Sequence, residues 1–400
     1  MFQGFHEEYC PSFPKFVCIS TKHIMKFLFV ACLFCMLNIT SAGQSLDYVT
    51  SEADFREPVT AVDVSPDGNW ILAGFENGTL SVLDAKSLTE IFSAEQVVSA
   101  AVFDIEMSPA MDVIFIAAGN RITLFDTTGT KINSWPHHKN TMWSMDINKQ
   151  GTFMVSTEVN KTFQLTNVYE GRIEQAMRGH DDVTFAVAFS PDGTLIASGS
   201  NDRKVFLWDL ESREVIATFQ GISDNIYDVA FSPDGKSIAA ASADNSVHIW
   251  DIGSGKLTAL LKGHQEMVLE IEFSPDGKYL LSASADQAIK LWDLASGEQL
   301  YAYLENEASI PDIEFLPEGN QFVSACMDGK LRIRRIDPEI FVMKYYRESF
   351  MKEIDENPLF LPKQKGEKRS DFIDRQSAAV EARKELIGKY YKKYLDENKD

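Results

Sequence analysis

Apolar and polar positions alternate along most of this chain in short runs, and the runs recur in a fixed order. Val187-Ala188-Phe189 and Val229-Ala230-Phe231 each close a period-2 run just before a turn. Leu195-Ile196-Ala197-Ser198 opens a second run after the turn, and Val205-Phe206-Leu207-Trp208-Asp209 forms a third. Glu214 to Phe219 forms a less regular fourth. Alternation of period 2 bounded by turn residues predicts strands, so each unit predicts four antiparallel strands. The turn between the first two reads Ser-Pro-Asp-Gly from Ser65, Ser190, Ser232 and Ser274, with degraded versions from Ser108, Asn148 and Leu316. Successive turns begin 43, 40, 42, 42, 42 and 42 residues apart. Proline presets φ, aspartate bonds its own backbone and glycine accepts positive φ, which closes a tight hairpin.

One four-stranded sheet cannot cover both of its own faces. Seven sheets stacked radially cover one another. The expected fold is therefore all-β, a seven-bladed β-propeller of four-stranded antiparallel blades over residues 46–340, followed by a helical, charged extension over 341–400. Closing the ring requires one blade built from both chain ends. Leu46 to Ser51 is the preferred outer strand of the last blade, because Asp337-Pro338-Glu339 reads as a helix start. The alternative takes Ile340 to Tyr345 as that strand.

The dipeptides Trp208-Asp209, Trp250-Asp251 and Trp292-Asp293, with Gly179-His180 and Gly263-His264 upstream, resemble the WD40 repeat family. The corresponding positions in blades 1, 2, 3 and 7 read Leu83-Asp84, Phe125-Asp126, Thr166-Asn167 and Arg334-Arg335. The resemblance implies a structural relay of His, Ser, Asp and Trp within a blade. Carried over by position, it is complete as His180, Ser198, Asp202 and Trp208, and as His264, Ser282, Asp286 and Trp292. Blade 5 has Ile222 and Ala240 at two of these positions, so its relay is expected to be absent. Blade 3 has His138 and Ser156, but Asn160 and Thr166.

Ahead of the repeats lies MKFLFVACLFCMLNITSAGQ, residues 25–44. Its apolar run of about 11 residues is shorter than the ~20 needed to span a bilayer. A lysine precedes the run and small residues follow it, so a signal peptide cleaved after Ala42 is expected, giving a periplasmic or extracellular protein. Because Met25 is followed directly by lysine, translation is expected to start there, with residues 1–24 an annotation artefact. Cys10, Cys18, Cys32 and Cys35 all lie before the cleavage point and Cys326 alone beyond it. No internal disulfide is then expected.

The net charge of -21 disfavours a nucleic-acid partner. That charge is uneven, with 11 basic and 8 acidic residues from Lys363 onward against 27 and 51 before it. From Asp371 the tail carries an apolar stripe at helical spacing, including Phe372, Val380, Leu386, Tyr390 and Tyr394. It predicts one amphipathic helix that packs on its own domain, docks a partner or contacts a membrane surface.

No catalytic set, metal site or cofactor is expected. HExxH, GxSxG, P-loop and GxGxxG sequences do not occur, and the in-phase position of His138 favours a structural role over a metal pair with His137. The residues five places after the relay histidine position are Phe103, Trp143, Phe185, Tyr227 and Leu269. They line one rim of the propeller as a protein-binding surface, or, sharing strand parity with Val187 and Phe189, they pack between blades. The function expected is a non-enzymatic interaction scaffold using this rim or the tail helix. The alternatives are a small-ligand or hydrolytic site in the central channel, for which no convergent carboxylates are read at a repeated phase, and a cytosolic scaffold.

Overall fold

The turn chemistry read from the sequence organises the molecule. In the computed structural model, which describes residues 48–94, 100–136, 138–361, 364 and 366–397, the hairpin after residue 189 has Gly193 at φ +72 with its N–H on the Ser190 carbonyl at 2.7 Å. Ser190 Oγ accepts the N–H of Leu195 at 2.9 Å and donates to Asp192 at 2.6 Å. The same left-handed position is filled by glycine in every blade except the second, where Met111 sits at φ 59, a conformation that L-residues adopt only at a cost. The leader stretch and His137 lie outside the described residues.

These hairpins build seven four-stranded antiparallel sheets. Blade 4 consists of Thr184–Phe189, Leu195–Ser200, Val205–Asp209 and Val215–Phe219, in spatial order. First strands of successive blades touch all the way round, and that of blade 7, Asp312–Phe315, meets that of blade 1, Val59–Val64. The ring is thus closed about a central channel. The apolar core is divided into clusters between adjacent blades. One of them joins Ala197, Leu207 and Phe219 of blade 4 to Val229, Ile238 and Trp250 of blade 5, all buried.

The last blade is completed from the other end of the sequence. Val49–Asp54 pairs antiparallel with Lys330–Arg335, placing Glu52 opposite Arg332. Glu52 accepts from Arg332 Nε at 2.8 Å and lies 3.1 Å from Lys330 Nζ. Of the expected closing strand Leu46 to Ser51, residues 46 and 47 lie outside the described residues and Val49 to Ser51 are in the strand, while the alternative, Ile340 to Tyr345, is helical. Asp337 caps that helix, α1 (Pro338–Tyr345), by accepting the Glu339 N–H at 2.8 Å, and the proline sits where a missing N–H is harmless.

Two further helices follow, α2 (Arg347–Glu356) and α3 (Arg369–Glu397). Of the fates open to the tail, packing on its own domain is what α3 does over its second half. The Tyr394 ring stacks on Phe341 and Tyr345 at 5.2 and 5.1 Å, and its hydroxyl meets that of Tyr279 in blade 6 at 2.7 Å. Toward its start the stripe is open, with Ile373 and Val380 exposed. Among the described residues no helix is long and apolar enough to cross a membrane.

Candidate functional site: an aromatic crown above a carboxylate-lined channel

The buried polar residues of the blades come first, because they are the obvious candidates for chemistry. In blade 4, His180 Nδ1 lies 2.9 Å from Asp202 and Nε2 lies 2.8 Å from Ser198 Oγ, which also accepts from Trp208 Nε1 at 2.8 Å. Blade 6 repeats this through His264, Asp286, Ser282 and Trp292 at 3.0, 2.7 and 2.8 Å. Since the indole donates to the serine, a serine hydroxyl donating to Nε2 leaves Nδ1–H for the aspartate. Burial alone would raise the Asp286 carboxyl, but the His264 bond and the Gln265 N–H outweigh it and hold it at about 2. Both serines are fully buried, so no substrate reaches them. The network ties the second and third strands to the loop before the first strand and to the turn that carries the aspartate.

Other blades rebuild the same joint with different residues. In blade 5, where Ile222 and Ala240 replace the histidine and serine of the relay, Asp244 is held instead by His248 of the third strand at 3.0 Å. In blade 7 a fully buried arginine stands in for the tryptophan, and Arg334 donates to Ser324 at 2.5 Å and to Asn306 at 2.6 Å. Asn306 is in phase with His264. Blade 3 keeps the His138–Ser156 contact at 2.8 Å, and burial lowers the imidazole to about 4.

The rim residues occupy a distinctive backbone position. Ladder register shifts occur between Val102/Asp104, Met142/Met145, Thr184/Ala186, Ile226/Asp228 and Val268/Glu270. Phe103, Trp143, Phe185, Tyr227 and Leu269 fall inside these shifts. A bulged residue is left unpaired and re-aimed, so equal parity with Val187 does not give equal burial. Trp143 is 41% exposed and the other four are partly buried. Phe103–Trp143, Trp143–Phe185 and Phe185–Tyr227 have ring centroids 5.1, 5.3 and 5.7 Å apart. Four aromatic rings from blades 2 to 5 therefore form a continuous arc at the channel mouth, partly exposed and partly packed on one another.

Beneath the arc, the expectation of no convergent carboxylates is overturned. Two tiers on the first strands carry nine acids: Asp104, Asp228, Glu270 and Asp312 nearest the mouth, then Asp63, Glu106, Asp146, Glu272 and Glu314. The second tier lies two residues before each turn, a repeated phase hidden within runs such as Val-Asp-Val and Ile-Glu-Phe that read as ordinary alternation.

Most of these carboxylates stitch blades together. Asp63 accepts the Met107 N–H of blade 2 at 2.7 Å, Asp104 that of Met145 at 2.6 Å and Asp146 that of Phe189 at 2.5 Å. Asp228 accepts from Ile271 at 3.1 Å, Glu272 from Phe315 at 2.5 Å and Asp312 from Val62 at 2.7 Å. Each bond satisfies an inner-strand N–H that has no further strand to pair with. The boundary between blades 4 and 5 has Ala186 and Ala188 instead.

Burial pushes all nine carboxyls up, against the strand N–H bonds that several of them accept and with repulsion from neighbouring acids adding to it at every one but Asp228, so that Asp63 and Asp312 reach about 7 and Asp146 and Asp228 about 6. Glu270 bonds Asp228, and Glu314 bonds Glu272, which requires a shared proton in each pair. Among the described residues no group of three or more His, Cys, Asp or Glu has a metal-binding arrangement.

Comparison with known families agrees with this architecture. Residues 145–331 match the family described as nucleolar protein 10-like, N-terminal domain, a β-propeller domain, and residues 50–84 match the WD domain, G-beta repeat. No curated protein matches the chain.

Proposed function

The chain is a WD-repeat β-propeller, and from that premise we propose that it is a non-enzymatic scaffold that binds other proteins at the aromatic crown. Propellers of this kind typically serve as interaction scaffolds, and fold alone names no partner. The observation that carries the reading is the arc of Phe103, Trp143, Phe185 and Tyr227, with Trp143 41% exposed at its centre. Aromatic side chains clustered at an open, rigid rim are the residues that anchor protein partners. The exposed start of α3, bearing Ile373 and Val380, is a second contact surface in this proposal. The proposed location is extracytoplasmic, supported by the leader pattern at residues 25–42.

The test is crosslinked capture from the native host, with the protein expressed from its own leader and tagged at its C-terminus. Partners recovered from the envelope or medium with wild type, and lost with the folded Trp143→Ala/Phe185→Ala variant, are expected. Capture identical in wild type and variant overturns the crown as the binding surface. Protection of the folded protein from protease outside intact inner membranes overturns the location.

A further inference from the structure

The channel mouth joins two surfaces of different chemistry. Its rim is an arc of four aromatic rings in contact, projected by backbone bulges in blades 2 to 5. Immediately below lie Asp104, Asp228, Glu270 and Asp312, and below them Asp63, Glu106, Asp146, Glu272 and Glu314. The remaining residues of the two tiers are Ala61, Ser144, Ala186, Ala188 and Ala230, so neither tier contains a lysine, arginine or histidine. Across the mouth from the arc, the rim positions are Leu269, Pro311 and Thr60.

We propose that the crown and channel mouth take up a basic segment of a partner protein, one lysine or arginine side chain passing between the aromatic rings so that its charged head meets the carboxylates. This rests on the scaffold reading and gives its partner a chemistry. A lysine or arginine stem is apolar along its length and charged at its tip, which matches the order of surfaces met on entering. Aromatic faces attract cations, most strongly where water is excluded. An acidic segment or a phosphate backbone would find no cation in either tier to pair with, and an uncharged apolar segment would cover the carboxyls without pairing them. Glu106, Glu270 and Glu314 accept no strand N–H among the described bonds, unlike the six acids that stitch the blades together. They are therefore the carboxylates whose loss leaves the stitching intact.

The entering cation also changes the titration of the channel. A positive charge among carboxyls that burial and mutual repulsion hold protonated favours their ionised forms. Binding therefore releases protons and tightens as pH rises.

The probes are short synthetic peptides alternating lysine with glycine, an arginine version, a glutamate version, and spermine, titrated into the full-length protein by calorimetry at fixed salt. The basic peptides are expected to bind and the glutamate peptide not to bind. Affinity should rise between about pH 5.5 and pH 8 with proton release seen as a dependence on buffer ionisation enthalpy. Trp143→Ala should weaken binding roughly tenfold through loss of the central ring. Glu106→Gln/Glu270→Gln should weaken it further while the protein still melts cooperatively, since neither change removes a bond between blades. Three outcomes overturn the proposal: equal binding of the glutamate peptide, equal binding by both variants, or displacement of the peptide by spermine in a manner indifferent to Trp143. Crosslink mapping of the partner captured in the native host separates this inference from the scaffold reading. A partner lost with the crown variant whose contacting segment carries no lysine or arginine leaves the scaffold standing and removes the basic segment, whereas capture unaffected by the crown variant removes both.

Discussion

Replacing Ser198 by alanine tests whether the buried network of blade 4 holds the blade together. Ser198 Oγ is bonded to His180 Nε2 and to Trp208 Nε1, each at 2.8 Å, and is fully buried. Alanine leaves both ring nitrogens without a partner in a place water does not reach. Each orphaned buried group costs ~1–3 kcal/mol, so the expected loss is about 3 kcal/mol. At ~2.1 cal/mol/K per residue, a domain of ~340 residues unfolds with an entropy of about 0.7 kcal/mol/K, and the melting temperature should drop by ~4 °C. Blade 5 supplies the comparison, because it natively carries Ile222 and Ala240 where blade 4 has His180 and Ser198. The pair Ser198→Ala with His180→Ile should be less destabilised than the two single changes added together, by about 1 kcal/mol, since each single change already breaks the bond they share. Calorimetric melting of the wild type and three variants decides it. A shift below about 1 °C for Ser198→Ala, or strict additivity of the pair, would refute the network as a stabilising unit.

The channel carboxyls make stability fall on the alkaline side. Asp63 and Asp312 at about 7, and Asp146 and Asp228 at about 6, are raised above their unfolded values. Their contribution is full below ~3.9 and is lost as pH rises through 6 to 7. His138, depressed to about 4, acts oppositely, contributing above ~6.5 and losing its share as pH falls, but one imidazole opposes nine carboxyls. The urea midpoint should be higher near pH 6 than near pH 8, and the reverse order would sink this account. For the tail, Tyr394→Ala removes the rings' stacking on Phe341 and Tyr345 and the bond to Tyr279. Limited proteolysis should then cut near residues 364–368 faster while the propeller core survives; unchanged cleavage would show that α3 is held by other contacts.

Much of the architecture was legible in the sequence because the repeat length is nearly constant. Turn glycines, strand parity and blade count all follow from that spacing, as does the helix cap at Asp337-Pro338. The relay in blades 4 and 6 was legible for the same reason. The substituted joints were not, because His248 and Arg334 satisfy the same bonding requirement from residue types that no single repeat motif contains. Parity also misjudges the crown, since a bulge adds one residue to one strand and re-aims a side chain without altering the apolar pattern. The channel acids escaped notice because a lone acid between two apolar residues has the normal look of a half-exposed strand. Their meaning appears only when five blades are aligned at the second tier and Asp63, Glu106, Asp146, Glu272 and Glu314 fall in one column.

The pairing of Val49–Asp54 with Lys330–Arg335 also dictates an order of events in time. The strand made first waits for nearly the last segment of the propeller to be made, and the Glu52–Arg332 contact that seals them joins residues 280 apart. Bringing such ends together from a flexible chain costs about 5 kcal/mol of loop entropy at ~(3/2)RT ln n. Much of that constraint is removed if the blades between have already stacked. Closure is therefore a late step in folding, and the same seam is where strain or heat would first unzip the ring.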